Sequence, residues 1–355
     1  MSFYDKLVKI KSIKNRLIDD ESKAIFDAKI DYMITRKEDT FIEAIWSFLN
    51  KMYCPDLASV MNSDNEKRRI VIFGCGHDGL RTKKVLEICG YKAECFCDSD
   101  IKKKGKIVDG LEVISQDELV SNYKEDLVIL SSRLYKRSMY EQLIQLNFPE
   151  KNIVFPNHPI ILGTSNVQYF DVFDYEKNEV FLDVGAYNGD TTKQFISWTG
   201  GEYEKIYVLE PIEEQFKYIE KKRHSEDWKN IVLYQKAAWN CSKKLNFYDN
   251  EMGSMVVEEN TGQIVEGEAI DKMVGNERVT FIKMDVEGSE LLALEGAKKT
   301  IQRDRPKLAI SIYHKYEDII EIPLKILELV PEYNFYLRHY TTDIWETVLY
   351  AVCNH

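Results

Sequence analysis

The chain has 355 residues, 44% of them hydrophobic and 12% aromatic, which excludes extensive disorder and exceeds what one hydrophobic core ordinarily holds. Its formal net charge of −11 at pH 7 excludes a general affinity for nucleic acid or for an anionic membrane, since both require a basic surface. The seven cysteines are odd in number in a chain long enough to fold unstapled, so no disulfide framework is expected.

No signal peptide is read at Met1-Ser2-Phe3-Tyr4-Asp5-Lys6, and no window approaches the roughly 18 apolar residues of a spanning helix. No membrane insertion and a cytoplasmic location are therefore expected. Residues 1–64 read as a helical segment: Leu7, Ile10, Lys14 and Leu17 give a weak stripe, and Phe41, Ile45, Phe48 and Leu49 a clearer one. Short helices cannot bury an apolar face alone, so these are expected to pack on a neighbouring domain or on a second copy in a homo-oligomer.

After the polar run Asn62–Glu66, residues 65–159 alternate strand and helix. Strands are predicted at 69–74, 92–97, 111–114, 127–131 and 152–155, with helices over 80–89, from Ser115, and near 137–146. This pattern predicts a small Rossmann-like parallel-sheet domain that ends at the break Phe155-Pro156-Asn157-His158-Pro159. Cys95 and Cys97 share one strand face, and without a second pair at zinc spacing they read as packed thiols. Gly74, Gly76 and Gly79 follow a strand and open a helix, and Asp98 ends the next strand. That arrangement suits either a tight turn or a nucleotide with its ribose on Asp98. An NAD(P)-dependent oxidoreductase would need a catalytic set beside this loop, and none is evident.

The third predicted domain spans 160–355, opening with a linker or packing segment over 160–178. Strands are expected at 180–184, 205–210, 231–236, 279–284, 307–313, 333–338 and 346–352. Helices are expected near 190–197, 212–223, 289–302 and 317–328. The last two strands adjoin through Tyr340-Thr341-Thr342-Asp343, which predicts an antiparallel hairpin ending a parallel sheet.

Six strand ends carry chemistry. The first is Asp183-Val184-Gly185-Ala186-Tyr187-Asn188-Gly189-Asp190. An aspartate ahead of a glycine loop opposes a pyrophosphate but suits a ligand with ammonium and sulfonium charges, and Gly185 and Gly189 would let it approach closely. The second ends in Glu210-Pro211, where a carboxylate can accept ribose hydroxyls and proline can open a helix. Ala237 and Ala238 leave room beside a flat ring, while Trp239 could stack or fill the core. Asp285, Glu287 and Glu290 flank Gly288 after an apolar strand, and His314 and His339 end the next two strands. Ligands of open α/β sheets lie beyond the carboxyl ends of strands, so these groups should face one cleft. A neutral imidazole at His314 or His339, or the carboxylate of Asp285 or Glu287, could accept a hydroxyl proton. No residue set is assigned to a metal, although Asp285 and Glu287 with waters would suit a divalent ion.

The segments FLDVGAYNGDTT (181–192), YVLEP (207–211), QKAAW (235–239), FIKMDVEGSELLALEGA (281–297), RPKLAISIYHK (305–315), YLRHY (336–340) and ETVLYA (346–351) resemble FkbM-type methyltransferases. The resemblance implies a class I methyltransferase fold, a Rossmann-like seven-stranded sheet with a terminal antiparallel hairpin. It also implies methyl transfer from S-adenosylmethionine to a hydroxyl oxygen of a small molecule, sugar or glycan. It carries a cofactor role over to Asp183, Gly185, Glu210 and the Ala237 region, and acceptor-side roles to Asp285, Glu287 and His314. VIFGCGHDG (71–79), FCDSD (96–100) and DGLEVIS (109–115) resemble the small nucleotide-binding-like domain of sugar-modifying enzymes in surface polysaccharide clusters. That likeness favours a glycan or nucleotide-activated sugar as acceptor. A non-catalytic nucleotide-sugar binding or scaffold protein is the other reading, opposed by the chemically competent Asp183, Glu210, Asp285 and His314.

Overall fold

The computed structural model describes residues 3–38, 40–49, 68–88, 90–132, 135–154, 168–250, 253–257, 263–341 and 343–353. The polar boundary at Asn62–Glu66 and the chain break at Phe155–Pro159 lie outside the described residues. By compactness the chain divides into two units, Met1–Phe41 with Val167–His339 and Trp345–His355 in one, Ile42–Asn166 with Tyr340–Ile344 in the other.

The unit centred on the first glycine loop holds β1 (Ile70–Phe73), β2 (Cys95–Cys97), β3 (Ile107–Val108), β4 (Leu111–Ile114), β5 (Leu127–Leu130) and β6 (Ile153–Val154). Their order is β3-β4-β2-β1-β5-β6, parallel throughout except for the β3–β4 hairpin. β1 and β5 are buried along their whole length, as expected of strands covered on both faces. Cys95 and Cys97 sit in the apolar core with Val71, Phe73, Val128 and Leu130. Ser115 opens the helix Gln116–Asn122 with a capping box closed by Glu118.

The other unit contains β7 (Val180–Val184), β8 (Lys205–Leu209), β9 (Ile231–Tyr234), β10 (Ala237–Trp239), β11 (Lys243–Asn250), β12 (Gly253–Val257), β13 (Gln263–Ala269), β14 (Phe281–Met284), β15 (Lys307–Ser311), β16 (Tyr333–His339) and β17 (Thr347–Cys353). Seven of them form a sheet in the order β16-β17-β15-β14-β7-β8-β9. Only β17 runs against its neighbours. This is the class I methyltransferase arrangement, with the terminal hairpin where the sequence places it. The chain leaves β7 towards β8 on one side and returns to β14 on the other, so a crevice opens between the ends of β7 and β14.

Aromatic packing anchors that sheet. Phe181 stacks on Phe195 of the helix Asp190–Trp198 at 4.2 Å between centroids, and Phe281 meets Phe181, Phe170 and Phe173 edge-on. Phe170 and Phe173 are buried, so the end of the 160–178 stretch is a packing segment. The helix Asp20–Thr35 lies along β16: Ser22 Oγ accepts from Leu337 N at 2.9 Å, and Arg338 pairs with Asp19 at 2.6 Å.

Two features differ from expectation. Strands β10 to β13 form a second sheet in the order β10-β13-β11-β12, where the sequence predicts no strand beyond 236 before 279. The strands KKLNFYDN and QIVEGEA carry too many charged and amide side chains for apolar periodicity to reveal them. The helix expected over 289–302 is divided into Glu290–Gly296 and Lys298–Asp304. A Cβ on Gly296 would lie 1.9 Å from Trp239 O, so glycine is what lets β10 press against the first of these helices.

Candidate active site

Strand ends at the β7/β14 crevice bring together most of the residues singled out above, though several do different work. Lys283 and Asp183 are direct partners across β14 and β7. Lys283 Nζ lies 3.2 Å from Asp183 Oδ1 and donates to Gly185 O at 2.6 Å, with both side chains at most 3% exposed. Thr192 Oγ1 donates to Asp183 Oδ2 at 2.6 Å. Asp183 thus holds the glycine loop to the strand through Lys283 and Thr192.

The glycines also serve the protein. A Cβ on Gly185, whose φ is +77, would fall 1.8 Å from Asp285 O, so glycine here accommodates the β14 exit. Gly189 has φ +75 and faces Trp228 and Ile219. Ala186 is buried and its N–H donates to Leu209 O at 3.1 Å. Asp190 begins the helix after Gly189 and pairs with Lys222 at 2.6 Å. Pro211 precedes the helix Glu213–Ser225 by one residue, Ile212, which takes the N-cap place. Ala237 lies in β10, packed with Ile212, Leu245, Phe247 and Val265.

Glu210 closes β8 and is 4% exposed. Its Oε2 accepts from Tyr187 N at 2.8 Å and its Oε1 from Ile212 N at 2.9 Å. Burial pushes its pKa up to about 7 despite these bonds. Each oxygen keeps a further lone pair, the capacity that two ribose hydroxyls would use.

Beyond the end of β14 lies an acidic cluster around one imidazole. His314 Nδ1 lies 2.9 Å from Glu290 Oε1, and Nε2 lies 3.4 Å from Asp285 Oδ1 and 3.3 Å from Glu287 Oε2. Burial opposes the charge on the ring, yet Glu287, Glu290 and Asp285 raise its pKa to about 11. The three acids thus favour the imidazolium over the neutral imidazole expected at His314. His339 has different partners: it is 2% exposed, with Nδ1 2.7 Å from Thr347 Oγ1 and its ring edge-on to Phe41.

Three side chains join the site that the sequence did not point to. Tyr169 OH donates to Asp285 Oδ2 at 3.0 Å, and Tyr313 OH donates to the same oxygen at 3.3 Å. Glu346 accepts from Gln168 Nε2 at 2.6 Å and from Tyr313 OH at 3.4 Å, and burial lifts its pKa to about 7. Tyr169, Tyr187, Glu287 and Glu346 all hold positive φ, at 75, 51, 53 and 62, a backbone conformation that non-glycine residues adopt at a cost. Only Lys283 gave a signal in the sequence: a cation inside the apolar run Phe281-Ile282-Lys283-Met284 needs a buried counter-charge.

The chemistry of these residues suits S-adenosylmethionine. Glu210 offers ribose acceptors at the end of β8, and the acidic rim suits a ligand carrying sulfonium and ammonium charge. In the other unit, Gly74 has φ +106, and a Cβ on Gly79 would sit 2.0 Å from Gly74 O, while Gly76 faces open space. Asp98 Oδ2 accepts from Cys75 N at 3.2 Å and pairs with Lys103 at 2.8 Å. The groups nearest Asp98 are thus the chain's own.

Comparison with known proteins follows the same division. Residues 183–339 match the Methyltransferase FkbM domain, and residues 66–154 match the C2185-like N-terminal domain. No curated protein matches the chain. Among solved structures, Methyltransferase FkbM from Methylobacillus flagellatus KT is similar at 22% identity and TM-score 0.50, covering 83% of this chain and 93% of that one. The SMU.1697c protein of Streptococcus mutans, solved in complex with SAH, aligns at 15% identity and TM-score 0.33 over 50% of this chain and 88% of its own. Among the described residues no helix is long and apolar enough to cross a membrane. Residues 183–339 are an FkbM-type domain, and the protein is an S-adenosylmethionine-dependent methyltransferase.

Proposed function

We propose that the enzyme methylates a hydroxyl oxygen of a sugar, glycan or nucleotide-activated sugar. The observation that supports this reading is that Glu210 and the cluster of Asp285, Glu287 and His314 follow β8, β14 and β15, parallel strands of one sheet. Glu210 would hold the ribose of S-adenosylmethionine, which supplies an activated methyl group when bound. The acceptor hydroxyl would lie against Asp285 and Glu287, with Asp285 taking its proton as the oxygen–carbon bond forms. The imidazolium of His314 would keep those carboxylates in place. Positioning and proton removal are the two contributions asked of the chain's own residues.

The test incubates the full chain with methyl-labelled S-adenosylmethionine and a panel of nucleotide-activated sugars and oligosaccharides. Label retained on the sugar after alkaline hydrolysis identifies a methyl ether. Label lost on that treatment would mean methyl esterification, and label on an amine would overturn the hydroxyl assignment. Asp285→Asn should lower turnover by about 10²–10⁴-fold while S-adenosylhomocysteine affinity holds.

A further inference from the structure

Trp345 is 46% exposed, although folded chains ordinarily bury most of this large ring. Its indole stands edge-on to Tyr313, with centroids 6.1 Å apart and planes at 83°. The hydroxyl of Tyr313 lies 3.3 Å from Asp285 Oδ2 and 3.4 Å from Glu346 Oε1, and either can accept its proton. The indole and Asp285 thus touch opposite ends of one phenol side chain, a span on the scale of a single hexose. Trp345 and Glu346 are consecutive, and successive side chains of an extended chain point to opposite sides. Both nevertheless reach Tyr313. The left-handed φ of 62 at Glu346 breaks the alternation, and Gln168 Nε2 holds the turned carboxylate at 2.6 Å. Backbone strain of this kind clusters where proteins bind or react. The surroundings are acidic: burial, and then the charges of Asp285 and Glu346, hold the Tyr313 hydroxyl well above the usual phenol range.

We propose that Trp345 is the platform of an acceptor subsite that stacks a neutral pyranose ring, with Asp285 and Glu287 accepting its hydroxyls. This rests on the reading of the enzyme as a sugar hydroxyl methyltransferase and narrows the class of sugar. The C–H groups on one face of a pyranose carry partial positive charge and lie flat against the negative face of an aromatic ring. Asp285 and Glu287 keep part of their side chains exposed, and an ionised carboxylate accepts hydroxyl protons from the rim of such a ring. A nucleobase would also stack on an indole. Its diphosphate, however, would meet Asp285, Glu287 and Glu346 as like charge. The acids therefore select the uncharged sugar of a glycan over a nucleotide-activated one.

The test follows the tryptophan fluorescence of the full chain, saturated with S-adenosylhomocysteine, as methyl β-glucopyranoside, methyl β-galactopyranoside, maltotriose or UDP-glucose is added. A neutral sugar should shift or quench the emission with an affinity on the order of millimolar. The change should vanish in Trp345→Phe, which removes only this one of five tryptophans. By ligand-observed NMR, Trp345→Ala should weaken that sugar about 10–100-fold, and Trp345→Phe should restore part of the loss, while S-adenosylhomocysteine affinity holds in both. Trp345→Phe alone, expected to weaken the sugar severalfold, serves should Trp345→Ala fail to fold. Unchanged sugar affinity in a folded variant, or a wild type that answers to UDP-glucose alone or to no sugar well above millimolar, would overturn the subsite. Equal methyl transfer to a sugar hydroxyl by Trp345→Ala and wild type refutes the platform and leaves the methylation reading intact. Neutral-sugar binding that depends on Trp345, with no hydroxyl methylated in any acceptor, supports the subsite and removes that reading.

Discussion

Lys283 and Asp183 face each other across adjacent strands at 3.2 Å, and neither side chain is more than 3% exposed. Their union ties the glycine loop to the strand that leads into Asp285, because the same ammonium also donates to Gly185 O. Lys283→Met would leave the Asp183 charge buried beside Thr192 alone, a loss of about 3–5 kcal/mol. The double change Lys283→Met with Asp183→Asn should recover much of it, since no bare charge is left behind. Urea unfolding of the single and double variants checks this; equal instability of the two would show that the pair's charge is not what matters.

Glu210 links cofactor binding to pH. Its folded pKa of about 7 lies above the ordinary carboxyl value of 4.5, so the folded state holds this proton more tightly than the unfolded chain. Its contribution to stability is full below about pH 4.5 and declines as pH rises through about 7. Ribose hydroxyls require the ionised form, so S-adenosylhomocysteine should bind more tightly from about pH 6 to about pH 8 and expel a proton at the lower end. Calorimetry in buffers of different ionisation enthalpy measures the proton directly. Glu210→Ala should weaken binding about ten- to a hundredfold and flatten the profile; a mutant that keeps the wild-type pH slope removes Glu210 from the ribose site.

Two glycine loops should respond oppositely to one methyl group. Gly185→Ala places a Cβ 1.8 Å from Asp285 O at a positive φ, so the exit of β14 must shift and S-adenosylhomocysteine binding should collapse or the fold be lost. Gly76→Ala meets nothing within 4 Å and should leave both stability and S-adenosylhomocysteine affinity nearly unchanged. Thermal shifts with and without ligand compare the pair. Loss of cofactor binding in folded Gly76→Ala would give the first loop a part in the methyl-transfer site.

The strand ends were legible because apolar runs such as Phe281–Met284 and Leu308–Ser311 stop abruptly at charged or imidazole side chains, and a parallel sheet gathers such ends on one edge. The partners of those side chains were not. Asp183 reads as a free carboxylate until Lys283 is seen in the facing register, and His314 reads as a base until three acids surround it. Tyr169 lies in a stretch without periodicity, so nothing local marks its hydroxyl as a partner of Asp285. The inserted four-stranded sheet escaped for a related reason, since its two longest strands, KKLNFYDN and QIVEGEA, carry many charged and amide side chains.

The left-handed backbone at Tyr187, Glu287 and Glu346 bears on any effort to make this enzyme hardier. Glycine relaxes such positions, worth on the order of 1 kcal/mol each, so a screen that rewards heat tolerance alone should enrich glycine at these three sites. Every such gain would remove a side chain: an acid beside His314, a partner of Gln168 and Tyr313, or the exposed ring of Tyr187 in the loop after β7. Robustness and turnover therefore compete at the same codons, and a library scored on both should retain the strained residues while accepting improvements elsewhere.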